Sequence, residues 1–459
     1  MAQKRSAGRP RASIELALLA LMLLPSTAFA GNSDEVNAGV DVTLTGGAVA
    51  ANVSTGASLW YNPAGLARHK DASFELTGIT FKVSAVKAPG LLTLETGEQS
   101  SDRRIDLSFV PEALTFTVPL KKLQLGIGLF NSSIRRQLVQ EHVSHQGDPN
   151  AVPPTPSADW NAGANTRVDS FHVSTGLAKG FDKRKQTALV GGAFDIVIST
   201  ARVDTLISGL YAGGSEGALS QAELANTAGL GLQIKGGVQW IPIPRLRLGF
   251  SLSTPSYLFM IAERLSASAV AAPPGASGED PVGMNTRTRQ LGGGWVGSEP
   301  GTMRFGIAYV GRWGWVEGDL VVDFRLRSSR FLFNQRTVPN GKIGAVINVH
   351  ELVKLGLGAF TDLSQTNQLV VVGDRQIDFF GVNLGLLFTN RASQTEAREL
   401  AEHEKPLVAL AIGVRYSHGR GDILGLLLPA YYDPDAIETN PVDTKINDVD
   451  INFGVKVSF

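Results

Sequence analysis

The chain has 459 residues, 42 basic and 42 acidic side chains, 43% hydrophobic residues and no cysteine. A zero net charge without clustered Lys and Arg excludes a nucleic-acid footprint. The lack of cysteine excludes disulfides and a lipid-modified cysteine anchor, so an exported chain of this length needs another source of stability.

Residues 1–30 read as an export signal. Lys4, Arg5, Arg9 and Arg11 form a positive start, Leu16–Leu24 is apolar, and Ala28-Phe29-Ala30 is a small-x-small cleavage site before Gly31. The apolar stretch is too short to span a bilayer as a helix. The longest strongly apolar run after it, Ile423–Ala430, is also far short of the ~20 residues a membrane helix needs. A membrane-spanning form of this chain is therefore a closed barrel.

Residues 31–70 are expected to form an N-terminal hatch. The run "VTLTGGAVAANVSTGAS" is small and polar, does not alternate, and cannot face lipid with its backbone unpaired. It leads into "SLWYNPAGLARHK". Asn62 suits a helix N-cap and Pro63 the first helical position, while Trp60 and Tyr61 give an exported tail something to pack against. A plug inside a barrel is the favoured reading; an ordinary Asn-Pro turn into the first strand is the alternative.

Residues 71–459 read as a transmembrane antiparallel β-barrel, an all-β fold. In "VDINFGVKVSF", Val449, Ile451, Phe453, Val455, Val457 and Phe459 share one face, and polar or small residues take the other. That is the length and period of a lipid-facing strand. The pattern recurs at Leu123–Leu129, Leu246–Leu252, Met303–Tyr309, Leu320–Leu326 and Val408–Tyr416, always against a face of glycine and charge. A soluble sandwich cannot bury so many arginines, whereas a polar lumen can hold them. About 14 such segments are expected, starting near 72, 104, 122, 166, 186, 224, 244, 300, 315, 340, 352, 375, 406 and 447. Short turns alternate with long connections, as in outer-membrane barrels. "SQTEARELAEHEK" breaks the rule, and its Ser393/Glu396 spacing predicts a short capped helix.

One strand carries a phase flip. Ile105, Leu107 and Phe109 are odd-numbered and Leu114, Phe116 and Val118 even, across Val110-Pro111-Glu112. A bulge is expected there, and Pro111 is the candidate for a defect in the barrel wall.

No catalytic constellation is legible. "GGSEG" at Gly213 lacks a strand–elbow–helix setting, and "GGGWVG" at Gly292 lacks a βαβ unit. His350-Glu351 and His403-Glu404 lack a second histidine at metal spacing. Neither an enzyme, a cofactor nor a metal is expected.

The order of a signal, a small-residue segment, "WYNPAGLAR" and an antiparallel barrel resembles the FadL family of outer-membrane transporters for hydrophobic compounds. Asn62, Pro63 and Ala64 match that family's hatch motif. "FVPEALTFTVPLKKLQLGIGLFNSS" and "LGLQIKGGVQWIPIPRLRLGFSLSTPS" resemble its strand pairs. The acidic residues that many relatives carry before the motif are "NVSTGAS" here, so hatch contacts of those acids do not carry over. The resemblance implies a monomeric 14-stranded barrel that captures a greasy ligand at outer loops and passes it beyond the hatch, with long-chain fatty acids as the default cargo. Aromatic hydrocarbon uptake and a non-transporting surface or secretion scaffold are the alternatives. Loop candidates are Leu206, Ile207, Leu210 and Tyr211, and Leu258, Phe259, Met260 and Ile261. Candidates for pairing with a ligand carboxylate are Lys235, Arg247, Arg304, Arg325, Arg327 and Arg415. The expected partners are membrane lipid, lipopolysaccharide and, through the terminal Phe459, the barrel assembly machinery.

Overall fold

The computed structural model describes residues 37–148, 150, 157–181, 187–212, 217–272, 295–328, 333–369, 374–390, 407–429 and 437–459. The signal segment 1–30, the helix expected from Ser393, the first four residues of "GGSEG" and the first three of "GGGWVG" lie outside them.

The strands are β1 (Ser73–Leu94), β2 (Gln99–Leu120), β3 (Leu123–His145), β4 (Ser157–Phe181), β5 (Ala188–Ala212), β6 (Gly217–Ile243), β7 (Leu246–Ser253), β8 (Ser256–Ala272) and β9 (Val296–Glu299). They continue with β10 (Thr302–Gly311), β11 (Gly314–Asp323), β12 (Arg327–Ser328), β13 (Phe333–Asn334), β14 (Val338–His350), β15 (Val353–Asp362), β16 (Arg375–Thr389), β17 (Leu407–Leu428) and β18 (Glu438–Ser458). Fourteen of them, β1–β7, β10, β11 and β14–β18, close a ring of antiparallel neighbours. The closure joins first to last, with Ser73 opposite Ser458. A closed ring leaves no sheet edge at membrane level, and that is what allows strands to cross lipid.

Alternation sets the faces. Along β16, Phe380, Val382, Leu384, Leu386 and Phe388 are exposed outward while the residues between them are buried. The exposed apolar belt is what a hydrocarbon environment covers.

The wall is uneven in height. β1–β6 have 22 to 27 residues each, against the ~9–11 that cross a bilayer. β7, β10, β11 and β15 have only 8 to 10. One side of the barrel therefore stands far above the membrane. β4, β6 and β18 begin well before the expected starts; in the early parts of β4 and β18 the outward residues, such as Asp159, Asn161 and Asp443, are polar, so the apolar stripe that marks a lipid-facing strand is missing although the inward face is buried.

Two neighbouring strands are broken at facing positions. β7 gives way to β8 at Thr254-Pro255, and β9 to β10 at Pro300-Gly301. Pro255 and Pro300 fall opposite each other in the register that pairs Leu252 with Met303 and Ser256 with Glu299. Proline offers no N–H to the ladder, so both strands bend here. Above the break β8 follows β6 and carries β9 on its other edge.

Candidate functional site

The N-terminal segment fills the lumen. It holds α1 (Val40–Thr45), α2 (Ser58–Tyr61) and a 3-10 turn, Pro63–Arg68. These elements are short, and nearly every residue of 37–66 is buried. Asn62 caps the 3-10 turn, its side-chain oxygen accepting from Ala64 N–H at 3.2 Å. Its amide group donates to the Ala50 carbonyl at 2.8 Å and the Val238 carbonyl at 3.2 Å. The hatch motif thus ties the hatch to itself and to β6. Pro63 lies so close to β5 that a β-carbon on Gly191 would overlap its carbonyl. Much of the glycine on the inward face has this cause: the hatch packs directly on wall backbone.

Wall carboxylates hold the hatch backbone. Glu112 accepts from Asn37 N–H at 2.7 Å and Glu75 from Val40 N–H at 2.7 Å. Asp319 accepts from Val49 and Ala50 at 2.7 and 2.9 Å, and Glu317 from Ala51 at 2.6 Å. Backbone donors that find no partner within so irregular a segment are satisfied by carboxyl oxygens of the wall. Sequence reading did not foresee that these acids grip the hatch backbone, although Glu317 and Asp319 sit two residues apart on one inward strand face.

The inward bases are engaged by the hatch and wall. Lys235 lies 2.6 Å from Asp195 and 4.0 Å above the Trp60 ring. Arg304 donates to the Trp60 carbonyl at 3.2 Å, Arg247 bonds the Asn52 side chain, and Arg415 stacks 3.8 Å from the Phe360 ring. Arg68, in the hatch, donates to the Asn52 carbonyl at 2.9 Å. Burial and nearby Arg247 lower its pKa to about 9, against the pull of Asp41 and Glu317, so it stays charged at neutral pH. Arg325 and Arg327 correct the sequence reading. β11 ends at Asp323, and both arginines are exposed beyond it, Arg327 bonding Asn334 across the β12–β13 pair. The alternation that suggested a longer strand runs on by chance into the connection.

The β2–β3 ladder is shorter than the two strands that form it. Their ladder runs from Leu120–Leu123 up to Ala113–Phe130 and ends there among the described residues, although both strands continue. Pro111 stands just above the end, opposite Gly78 of β1, where the β1–β2 register shifts.

The outer mouth is covered by the tip of β1. Leu92, Thr93 and Leu94 turn inward and pair in parallel with Leu426, Leu427 and Leu428 of β17, a strand that is not the ring neighbour of β1. Gly90 takes a φ of 80°, which an L side chain rarely adopts, and so permits the bend. Leu92 and Leu94 bury against Val143, Trp160, Leu426 and Leu428. Below them Leu91, Ile377, Phe379, Ile423 and Ile446 form an apolar cluster on the inner wall.

The eight residues expected in outer loops lie in strands instead: Leu206, Ile207, Leu210 and Tyr211 in β5, and Leu258, Phe259, Met260 and Ile261 in β8. Leu206, Leu210 and Met260 are exposed. Ile207 packs on the Trp160 cluster, Leu258 and Ile261 are buried together, and Phe259 meets the Trp295 ring at 5.8 Å. The clusters are the two faces of tall strands.

No protein-family model and no curated protein sequence matches the chain. Solved structures do. A FadL homologue of Pseudomonas aeruginosa superposes with a TM-score of 0.55 over 94% of this chain and 99% of its own, at 11% identity. The Pseudomonas putida toluene transporter TodX gives 0.51 over 93% and 99%, at 14% identity. The Ralstonia pickettii toluene transporter TbuX gives 0.54 over 93% and 99%, at 13% identity. The fold is that of the FadL-like channels. In this FadL-like barrel the hatch, the end of the β2–β3 ladder and the β1 tip are the three departures from a plain closed ring, and only the hatch motif and Pro111 were visible in the sequence.

Proposed function

We propose that this chain is a bacterial outer-membrane channel for small uncharged hydrophobic compounds, with aromatic hydrocarbons ahead of long-chain fatty acids. The observation that carries this is the engagement of Lys235, Arg247, Arg304 and Arg415 with hatch and wall partners. A fatty-acid carboxylate entering the lumen would have to displace one of those contacts, and desolvating it without a partner is costly. A hydrocarbon has no such need. Two of the similar structures, TodX and TbuX, are toluene transporters. Aromatic hydrocarbon uptake, held as the alternative on sequence alone, thus takes precedence over the fatty-acid default.

The route runs from the mouth, over the apolar inner wall near Phe379, to the β2–β3 gap. The hatch stops free leakage of polar solutes to the periplasm. Export uses the 1–30 signal, and Phe459, 70% exposed at the last strand, is what the assembly machinery would read.

The test is uptake of labelled toluene and labelled oleate by an outer-membrane host lacking its own transporters, with surface expression confirmed. Toluene accumulation above the empty host without oleate accumulation is expected. Oleate uptake without toluene uptake would overturn the choice of cargo, and uptake of neither would overturn transport of both classes.

A further inference from the structure

Glu299 makes contacts that its place in the ring does not predict. It ends β9, which lies beyond β8 and β6 on the far side of β5 from β4. Its carboxylate nevertheless meets His172 Nε2 of β4 at 3.0 Å and the Ser132 hydroxyl of β3 at 2.9 Å. Ser256 of β8 donates to the same carboxylate at 3.0 Å. From β4 to β9 is four strand steps, or about 19 Å along a sheet. The two side chains together cannot bridge that distance, so the two parts of the wall approach each other across the lumen until β9 meets β3 and β4. The facing breaks at Pro255 and Pro300 are what free β9 to fold in.

The place where Glu299 lands is the second half of the argument. Ser132 is two residues above Phe130, the last residue of β3 paired with β2. The β3–β4 ladder carries its register shift next to it, between Ser133 and Arg135. On the other strand, Glu112 stands directly above Ala113 and bonds Asn37 of the hatch. The inward residues on the two sides of the gap are held by different partners, one on the hatch and one across the lumen. The anchor is firm, because His172 also bonds Asp195 at 3.2 Å, and Asp195 is held by Ser174 at 2.6 Å and Lys235 at 2.6 Å. All of these groups are buried.

We infer that Glu299 is the positioning residue of the lateral opening: by holding Ser132 and His172 from across the lumen it draws β3 away from β2 and keeps the wall parted. Without that hold, β3 is free to extend its ladder with β2 above Phe130 in the register that Ala113–Phe130 already sets. The inference rests on the proposed lateral route only for its consequence in transport, not for the geometry.

The experiment uses the absence of native cysteine. Continuing the Ala113–Phe130 register would place Val110 opposite Ser133. The pair Val110→Cys with Ser133→Cys is introduced into the full chain, alone and together with Glu299→Ala, and disulfide formation is followed in assembled, heat-modifiable barrels. Little cross-linking is expected in the Glu299 background and at least a several-fold rise in the Glu299→Ala background. Ser132→Ala, which removes the direct tie and keeps the buried carboxylate, should raise it as well, and serves if Glu299→Ala does not assemble. Equal cross-linking in all backgrounds would overturn the inference. Toluene uptake by the same variants without the cysteine pair separates the two claims. A rise in cross-linking with loss of uptake supports both. A rise with uptake unchanged supports the positioning role and removes the lateral route.

Discussion

Gly237 leaves the space that Asn62 occupies: a β-carbon on Gly237 would overlap the Asn62 side-chain oxygen. The hatch motif and a wall glycine of β6 are therefore one fitted contact. Gly237→Val is expected to push the motif off the wall at about 1–3 kcal/mol, the range for overpacking a tight site. The barrel itself should persist, because its ladder is untouched. Steady conductance in a planar bilayer should rise over wild type. A variant that assembles and conducts no more than wild type would show that this contact does not hold the lumen shut.

Asn62→Ala removes the cap on Ala64 and the donors to Ala50 and Val238. The Ala50 carbonyl keeps a weaker donor, Gln239 at 3.4 Å, so the loss is partial. A cost of about 1.5 kcal/mol corresponds to a roughly tenfold larger population of opened hatch. Limited proteolysis should cut the hatch faster by that order while the barrel band survives. Unchanged cutting would mean that the carboxylate grips alone secure the hatch.

Those grips make a separable prediction. Asp319 accepts from both Val49 and Ala50 N–H. Asp319→Ala leaves two buried donors without an acceptor, at about 1–3 kcal/mol each. Asp319→Asn retains an oxygen and should recover much of the loss. Hatch proteolysis should therefore rank Ala well above Asn, and Asn above wild type. Equal rates for the two variants would indicate that charge rather than hydrogen bonding does the holding.

The legibility of this chain divides along the membrane surface. Within the bilayer, lipid outside and hatch inside force a period of two, so β7, β10, β16 and β17 could be placed from their alternation alone. Above it the outward face of a strand such as β4 is polar, at Asp159 and Asn161, while Ala158, Trp160 and Ala162 are buried inward, so the apolar lipid-facing stripe is missing and tall strands looked like loops; Leu206 in β5 was read that way. The N-terminal plug was readable because a small, polar, non-alternating segment has nowhere else to go in a barrel. The acids that grip it were not, because Glu75, Glu112, Glu317 and Asp319 look in sequence like any lumenal charge. Glu299 was invisible for a stronger reason: its partners lie on β3 and β4, and nothing in spacing reports a fold of the wall.

The β1 tip yields the last prediction. Thr93 of β1 pairs with Leu427 of β17 in a parallel register that joins strands separated in the ring by β18. The covering tip is thus held by a short parallel ladder and by Leu92 and Leu94 in their apolar cluster. Neither is part of the barrel's own closure, so the tip can leave without opening the ring. Thr93→Cys with Leu427→Cys should cross-link in the otherwise cysteine-free chain, since paired strands bring α-carbons within the ~4.4–6.8 Å a disulfide requires. Toluene uptake should fall on oxidation and return with a reductant, while the reduced pair and each single cysteine behave as wild type. Full uptake with the bond formed would show that solutes enter beside a fixed tip, and the entrance would then have to lie along the low wall of β10–β15.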